Sequence, residues 1–333
     1  MIRLERMHCL VTGGAGFIGS NLVDRLLARG CRVRVLDNLS NGKIANLSHH
    51  FADPNFAFSQ GSITDPGDVE QALKDIQVVF HLACLGVRHS LAHPFENHRV
   101  NAEGTLLLLA AARRAKVTRF VHCSSSEVYG SAQYVPMAEN HPTQPCTVYG
   151  ASKLAGEAYA RAYHRAYGLP TVIIRPFNTY GPRSHHEGDA GEMIPKSIVR
   201  ALNGKEILVF GDGSQTRDFT FVEDTAAGLM AAAECEAMNG LTLNLGCNFE
   251  ISIKELAEKL VAMVGNAATT LQFTPARPGD VSRLHADPSA FMGLCGWRPA
   301  ITFEAGLEKT IAYFREHPLG PTGLLQGEAG RNW

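Results

Sequence analysis

The sequence has almost no net charge, no long apolar run and no paired cysteines. Its 31 lysines and arginines nearly balance its 32 acidic residues, so no overall field favours nucleic acid or a membrane surface as a partner. The most apolar stretch, residues 106–112, is too short to cross a bilayer, and no signal-peptide pattern opens the chain. The 8 cysteines include no C-x-x-C pair, and the 14 histidines lack metal-binding spacing. We therefore expect reduced thiols, no metal site and a cytoplasmic location.

Strand-like and helical segments alternate through the first half of the chain. Apolar runs at residues 9–12, 32–36, 78–82, 119–123 and 171–174 are separated by helical patterns. This alternation predicts an α/β fold with a Rossmann doubly wound parallel sheet.

The alternation weakens after Pro182, which suggests a second and smaller unit. We expect a first domain at residues 1–181, to which residues 215–248 return. Residues 182–318 would form mostly an interleaved smaller lobe, and the glycine-rich residues 319–333 a flexible tail.

A glycine-rich turn follows the first apolar run. Gly14, Gly16 and Gly19 satisfy G-x-G-x-x-G, whereas Gly13, Gly16 and Gly19 satisfy G-x-x-G-x-x-G. Glycines at these spacings permit a tight turn and let backbone N–H groups approach a pyrophosphate at the start of a helix. Strand, turn, helix and second strand in this order predict a dinucleotide site.

Asp37 ends the second apolar run, at the spacing of an acid that binds the adenosine ribose. Its carboxylate can accept a hydrogen bond from a 2′-hydroxyl, but it repels a 2′-phosphate. Residues 38–42 contain no arginine that would neutralise such a phosphate, although Lys43 could reach one. The sequence therefore favours NAD over NADP.

Tyr149 and Lys153 are four residues apart, so on a helix they share one face. An ammonium group beside a phenol favours the phenolate and brings the tyrosine pKa toward the range of a useful base. A serine from the preceding loop, residues 124–126, could share the proton of a substrate hydroxyl. This equipment can remove a proton from an alcohol while hydride leaves its carbon.

Together these motifs resemble the extended short-chain dehydrogenase/reductases, the NAD-dependent epimerase/dehydratase family that acts on nucleotide sugars. The resemblance runs from Cys9 to about Phe314. It is carried by the glycine segment 12–19, by residues 37–39, 81–83 and 101–105, by the serine loop 124–130, by Tyr149 and Lys153, and by residues 175–183.

The resemblance implies an active site and an NAD site. It makes Tyr149 the base, Lys153 the partner that lowers its pKa and holds the nicotinamide ribose, and Ser125 the assisting hydroxyl. Ser62 departs from the aspartate that the family often has at the adenine edge. The implied cofactor residues are Gly13, Gly16, Phe17, Ile18, Gly19, Asp37, Asn38, Ser62, Ile63, Leu82, Ala83, Asn101, Tyr149, Lys153 and Pro176.

The resemblance also implies a nucleotide-diphosphate sugar as the substrate. Arginines suit a pyrophosphate as bidentate donors, and an aromatic face suits a base. The implied substrate residues are Arg88, Ser125, Ser126, Asn178, Phe210, Arg217, Arg277 and Asp280.

A homodimer is implied as well, in which the helices at residues 94–116 and 148–167 pair across a two-fold axis. The alternative is that both helices are buried within one subunit. The expected apolar seam consists of Leu106, Leu107, Leu109, Ala110, Ala158 and Ala162.

Three reactions share a first oxidation at sugar C4. A 4-epimerase, our first choice, returns the hydride to the other face and needs no further acid or base. A 4,6-dehydratase needs a base for the C5 proton, for which Glu127 is the candidate. Dehydratases of the dTDP-glucose type have an aspartate where this chain has Ser126, whereas GDP-mannose dehydratases and UDP-glucuronate decarboxylases resemble this chain there. A UDP-glucuronate decarboxylase releases CO₂ from the 4-keto acid. A non-catalytic dinucleotide sensor is a remote alternative, since such proteins commonly lack the Tyr149/Lys153 pair.

Overall fold

Strands and helices alternate along the chain in the structure, a computed structural model that describes residues 3–276 and 281–326. The strands are β1 (His8–Thr12), β2 (Arg32–Asp37), β3 (Phe56–Gln60), β4 (Val78–His81), β5 (Arg119–Cys123), β6 (Thr171–Pro176), β7 (Asn178–Tyr180), β8 (Ile207–Phe210), β9 (Thr216–Arg217), β10 (Phe219–Phe221), β11 (Thr242–Leu245), β12 (Ile251–Ser252), β13 (Leu271–Thr274) and β14 (Arg283–Leu284). The α-helices are α1 (Phe17–Ala28), α2 (Pro66–Ala72), α3 (Val87–Ala92), α4 (Pro94–His98), α5 (Thr105–Arg114), α6 (Val148–Tyr167), α7 (Met193–Leu202), α8 (Val222–Glu234), α9 (Ile253–Val264), α10 (Ser289–Cys295), α11 (Phe303–Arg315) and α12 (Gly320–Leu325).

A seven-stranded parallel sheet forms the centre of the molecule, in the order β11-β6-β5-β4-β1-β2-β3. The predicted α/β fold is therefore confirmed. Helices α1 and α8 pack on one face of the sheet, whereas α2, α5 and α6 pack on the other. The central strands are buried on both sides, which explains why they appear in the sequence as continuous apolar runs.

The smaller lobe has its own apolar core between α7, α9 and α11, including Ile198, Leu256 and Phe314. Its strands form small sheets, in which β8 pairs with β13 and β9 with β12 and β14. Residues 222–245 leave this lobe to form α8 and β11, and β11 pairs with β6 of the large sheet. The exact domain boundaries stay a prediction.

Two segments differ from the sequence expectation. The helix expected at residues 94–116 is interrupted by a π-helical segment, Arg99–Gly104, between α4 and α5. The residues expected to begin a flexible tail contain α12, where Leu324 is buried and the Pro321 carbonyl accepts a 2.8 Å hydrogen bond from Asn203 Nδ2. Residues 327–333 lie outside the described part of the chain.

None of the helices within residues 3–276 and 281–326 is both long and apolar enough to cross a membrane.

Candidate active site

The carboxyl ends of the parallel strands open into one cavity of about 520 Å³. Gly13, Asp37, Leu82, Ser124 and Phe177 line it, and each directly follows or ends a strand of the large sheet. Ligands bind at this edge in open α/β sheets, because the loops that leave neighbouring strands converge there.

The glycine turn forms the floor of the cavity below the start of α1. Gly13 has a φ of +70°, and a Cβ on it would lie 2.7 Å from the backbone N of Ala83. A Cβ on Gly19 would lie 2.1 Å from the carbonyl oxygen of Gly13. Gly13, Gly16 and Gly19 line the cavity, whereas a Cβ on Gly14 would point into the Val35 side chain. The structure therefore selects the G-x-x-G-x-x-G pattern of the two that the sequence allowed.

Helix α1 begins at this turn with Gly16 as its N-cap, and no side chain caps its first N–H groups. Those donors face the glycine turn, so they suit a pyrophosphate, which the positive end of a helix also attracts. Phe17 and Ile18, in the first turn of α1, line the cavity as expected.

Asp37 is 7% exposed at the end of β2 and lines the same cavity. Burial raises its pKa, while hydrogen bonds from the backbone N–H groups of Leu39 and Ala15, at 2.8 and 2.9 Å, oppose this rise. The two donors fix the carboxylate next to the glycine turn, and each oxygen keeps a lone pair for a ribose hydroxyl. This arrangement fits the ribose of NAD. Within the described residues, no cation is bound to the Asp37 carboxylate that would neutralise the charge of a 2′-phosphate.

The other expected cofactor positions, with one exception, line the cavity: Asn38, Ser62, Ile63, Leu82, Ala83 and Pro176. Asn101 is the exception. It is 2% exposed within the π-helical segment, where Oδ1 accepts from Leu85 N at 2.8 Å and Nδ2 donates to Ser152 Oγ at 3.1 Å. Asn101 therefore supports the wall from behind and does not form its surface.

Ser125, Glu127, Tyr149 and Lys153 line one region of the cavity. Helix α6 begins where Thr147 Oγ1 accepts a 3.2 Å hydrogen bond from Gly150 N, and this cap places Tyr149 in the first turn. Lys153 is 3% exposed, and its Nζ donates to the Cys123 carbonyl at 2.6 Å. The ammonium is therefore anchored to the end of β5, directly before the serine loop.

Burial raises the pKa of Tyr149 well above its usual value, and the neighbouring thiol of Cys84 adds to this rise, while a hydrogen bond with Ser125 opposes it. The folded chain by itself thus does not produce the lowered pKa that we expected from Lys153. The Lys153 charge acts visibly on His81, whose pKa falls to about 3, first because it is buried and second because the ammonium repels its proton.

A buried ion-pair network supports the serine loop from below. Ser124 Oγ donates to Glu157 Oε1 at 2.7 Å, and Arg175 at the end of β6 binds both oxygens of Glu157, at 2.8 and 2.7 Å. Burial alone would raise the pKa of Glu157, but the guanidinium of Arg175 outweighs it and the pKa is lowered. The network joins α6 and β6 to the loop that follows β5.

The cavity also contains residues expected for the substrate. Its lining includes Arg88, Ser126, Asn178, Phe210 and Arg217, of which Ser126 belongs to the serine loop. Asn178 Oδ1 is buried and has no hydrogen-bond partner among the described residues, which is typical of a group that awaits a ligand. Arg277 and Asp280 lie outside the described residues.

The cavity lining includes titratable residues that were not predicted from the sequence, among them His185 and Glu192. Burial raises the pKa of Glu192 to about 7, and the charge of Arg88 partly opposes this rise. Burial has the opposite effect on His185, because it disfavours the charged imidazolium: the pKa of His185 is lowered, and the charge of Lys43 lowers it further. Both precede α7, His185 in a polar loop and Glu192 as the N-cap of the helix, and nothing in their local sequence marks them as site residues.

Comparison with known proteins matches residues 10–310 to the family model described as GDP-mannose 4,6 dehydratase. UDP-glucose 4-epimerase of Mycolicibacterium smegmatis is 39% identical over 313 residues, which cover 93% of this chain and 99% of that protein. UDP-glucuronic acid decarboxylase 2 of Arabidopsis thaliana is 34% identical over 325 residues, which cover 96% of this chain and 71% of that protein.

Among solved structures, DesIV (dTDP-glucose 4,6-dehydratase) from Streptomyces venezuelae with NAD and TYD bound has a TM-score of 0.89 and 34% identity, with coverage of 93% of this chain and 98% of that chain. The relatives thus include an epimerase, a decarboxylase and a dehydratase, and they favour none of the three reactions. The glycine turn and Asp37 fit NAD, which is bound in that dehydratase. The chain belongs to the NAD-dependent epimerase/dehydratase family of nucleotide-sugar enzymes, and its cofactor is NAD.

Proposed function

We propose that the protein is a nucleotide-sugar 4-epimerase. The observation that carries this choice is the composition of the serine loop, where Ser125 and Glu127 line the cavity but Ser126 stands at the position of a second acid. Epimerisation at C4 needs one base and a hydride acceptor, and it needs no separate acid to expel a hydroxyl.

In the proposed reaction Tyr149 removes the proton of the sugar C4 hydroxyl, and Ser125 hydrogen-bonds to the same oxygen. NAD supplies the hydride acceptor, and its positive nicotinamide adds a charge that favours the phenolate. Lys153, fixed by the Cys123 carbonyl, holds the nicotinamide ribose and keeps a positive charge near the phenol. After the 4-keto sugar turns over, the hydride returns to its other face and Tyr149 gives the proton back, so the cycle is redox-neutral.

The smaller lobe would bind the nucleotide diphosphate. Arg217 offers a guanidinium to the diphosphate, and Phe210 offers an aromatic face to the base. The unpartnered Oδ1 of Asn178 can accept a hydrogen bond from a hydroxyl or N–H group of the ligand. Because the epimerase relative is named for UDP-glucose and the dehydratase structure for dTDP-glucose, we propose a pyrimidine nucleotide. Arg277 and Asp280, which lie outside the described residues, stay predicted parts of the nucleotide-diphosphate site.

A 4,6-dehydratase is the second candidate, because the cavity lining includes Glu127 and Glu192, a candidate base and a candidate acid. Glu127 could remove the C5 proton, and Glu192, with a pKa raised to about 7 by burial, could be protonated and supply the leaving hydroxyl with a proton. We find no contact among the described residues that favours a UDP-glucuronate decarboxylase, which stays the third candidate.

The direct test is incubation of the purified protein with UDP-glucose, UDP-glucuronate and dTDP-glucose, with the products analysed by mass and NMR. An epimerase gives a product of unchanged mass with inverted C4. Loss of water would replace the proposal by the dehydratase, and loss of CO₂ by the decarboxylase.

The Glu127→Gln variant tests the same choice by a second measurement. For an epimerase we expect a loss of about tenfold or less, because Glu127 would only position the loop. For a dehydratase, NADH would still form in the first step while product falls by ~10² or more. Tyr149→Phe provides the control in which neither NADH nor product forms.

We further propose a homodimer that pairs through the surface of α3–α6. Large apolar side chains are exposed there, including Phe95 at 89%, Tyr167 at 52% and Leu106 at 37%. Leu109, which we expected in the seam, is fully buried within its own subunit because it lies on the inner face of α5. Light scattering should give twice the chain mass of 36.1 kDa, and Phe95→Asp should shift it toward the monomer. A cytoplasmic location stays a prediction.

A further inference from the structure

A cluster of three potential metal ligands lies outside the candidate active site, where the segment after β2 meets α1. Asp24 Oδ1 accepts hydrogen bonds from His50 Nε2 at 2.7 Å and from His49 Nε2 at 3.0 Å. One ligand atom from each of the three residues lies within 4.8 Å of the others. Sequence spacing did not indicate this site, because Asp24 precedes His49 by 25 residues.

Arg183 orients the carboxylate of this cluster. Its guanidinium nitrogen lies 2.8 Å from Asp24 Oδ2, so Oδ1 is left facing the two imidazoles. A carboxylate whose second oxygen is held by a hydrogen-bond donor presents the first one as a fixed, monodentate ligand. The positive charge of Arg183 also reduces the attraction for a cation, which argues for a moderate affinity.

We propose that Asp24, His49 and His50 form a binding site for a divalent transition-metal ion of the zinc type. Two imidazole nitrogens and one carboxylate oxygen are the donor set that Zn²⁺ and its neighbours prefer over Mg²⁺ or Ca²⁺. Metal–ligand bonds of about 2.0–2.2 Å in a tetrahedron separate the ligands by roughly 3.3–3.5 Å. The observed 3.0 and 2.7 Å separations would need to open by about 0.3–0.8 Å to reach this spacing.

The surroundings leave room for a fourth ligand from solvent. The His49 side chain is 48% exposed, and those of His50 and Asp24 are 15% and 31% exposed. The imidazole rings of His49 and His50 lie 3.9 Å apart at 43°, and both Nε2 atoms face Asp24 Oδ1. The metal replaces the two hydrogen bonds to Oδ1, and the imidazole protons move to the Nδ1 atoms.

The bound ion is structural, because none of its three ligands lines the cavity that is described. It joins residues 48–50 to α1 and, through Arg183, to the segment that follows β7. Asn46, just before these histidines, donates from Nδ2 to the Ala15 carbonyl of the glycine turn at 2.9 Å. The ion would thus stabilise the wall next to the cofactor-binding turn.

The test is calorimetric titration of untagged, chelator-treated protein with Zn²⁺, with Co²⁺ absorption as a second readout of the coordination. We expect one equivalent to bind and to raise the melting temperature. His49→Ala and His50→Ala should each abolish this binding, and Asp24→Asn should weaken it. The matched control is His98→Ala, which removes another exposed histidine and should leave the stoichiometry unchanged.

Cys146 is an exposed thiol that could bind zinc independently, so Cys146→Ser is the second control. Binding that survives in both His49→Ala and His50→Ala, or that disappears in Cys146→Ser, would overturn the proposal. Wild-type protein that takes up no stoichiometric metal would overturn it as well, and the three side chains would then be only a hydrogen-bonded cluster.

Discussion

Replacing Glu157 by glutamine should strongly destabilise the protein, although Glu157 does not line the cavity. Its carboxylate is 0% exposed and accepts hydrogen bonds from Ser124 and from two of the three guanidinium nitrogens of Arg175, itself 4% exposed. The substitution keeps the shape of the side chain and removes its charge. The guanidinium is then buried without a counter-ion, and water cannot reach it.

The size of the expected loss in stability follows from the burial of this ion pair. Breaking one side of a buried ion pair costs about 3–5 kcal/mol, because the remaining charge stays desolvated. Arg161 also binds Glu157, at 3.1 Å, but its side chain is 32% exposed, so Arg161→Ala should cost only about 0.2–1 kcal/mol. The double variant Glu157→Gln/Arg175→Met removes the orphaned charge and should be more stable than Glu157→Gln alone.

Urea unfolding at constant protein concentration gives the free energy of unfolding of each variant. A cost below about 1 kcal/mol for Glu157→Gln, or a double variant less stable than this single variant, would refute the reasoning. Since Ser124 immediately precedes Ser125, we also expect kcat to fall in Glu157→Gln. Arg161→Ala is the matched control for kcat.

The pH dependence of this stabilisation has a definite sign. The folded-state pKa of Glu157 lies below the usual 4.5, so its ionised form is favoured by folding. The contribution is fully present above the unfolded pKa and is lost as the pH falls through the lower, folded pKa. The difference in stability between wild type and Glu157→Gln should therefore be constant near neutral pH and shrink only below about pH 4.5.

Other substitutions test the cavity itself. Tyr149→Phe should lower turnover by ~10²–10⁴ while NAD stays bound, as measured by kinetics and cofactor retention. Asp37→Ala should weaken NAD and reduce the preference over NADP in binding titrations, because the repulsion of a 2′-phosphate is removed. Glu192→Gln should remove an inflection near pH 7 from the kcat/KM profile. The Lys43 Nζ–Glu187 Oε1 contact of 2.7 Å joins the segment after β2 to the smaller lobe. Charge reversal of either residue should therefore speed NAD release by about 1.4- to 5-fold, and reversal of both should restore the wild-type release rate.

The local sequence was sufficient to predict an element whose first and last residues are themselves recognisable capping residues. Helix α6 was predicted at residues 148–167 and is found there, because Thr147 caps its start and Gly168, with a φ of +70°, ends it. The glycine turn and Asp37 were found for a similar reason: the residues that define the site are adjacent to the strands that carry them. Such positions need no information from distant parts of the chain.

Tertiary contacts decided the positions that the sequence did not reveal. Asn101 is withdrawn from the cavity by partners at Leu85 and Ser152, which are 16 and 51 residues away. Glu192 lies in a polar loop, and it becomes a perturbed acid only because burial and Arg88 act on it in the folded chain. Neither a buried amide nor a raised carboxyl pKa has a pattern in the local sequence.

The choice of reaction is difficult for the same reason. Oxidation at C4 needs Tyr149, Ser125 and the cofactor, and these are shared by epimerase, dehydratase and decarboxylase. A dehydratase, unlike an epimerase, also needs an acid that is protonated while its base is ionised. Whether a carboxyl group meets this condition depends on its environment more than on its residue type. Glu192, with a pKa of about 7, can provide such an acid near neutral pH. In an epimerase, loss of its proton changes only how the sugar is held, so KM should respond to pH more than kcat does. In a dehydratase, ionisation of Glu192 removes the proton donor for the leaving hydroxyl, and kcat should fall as the pH rises above 7.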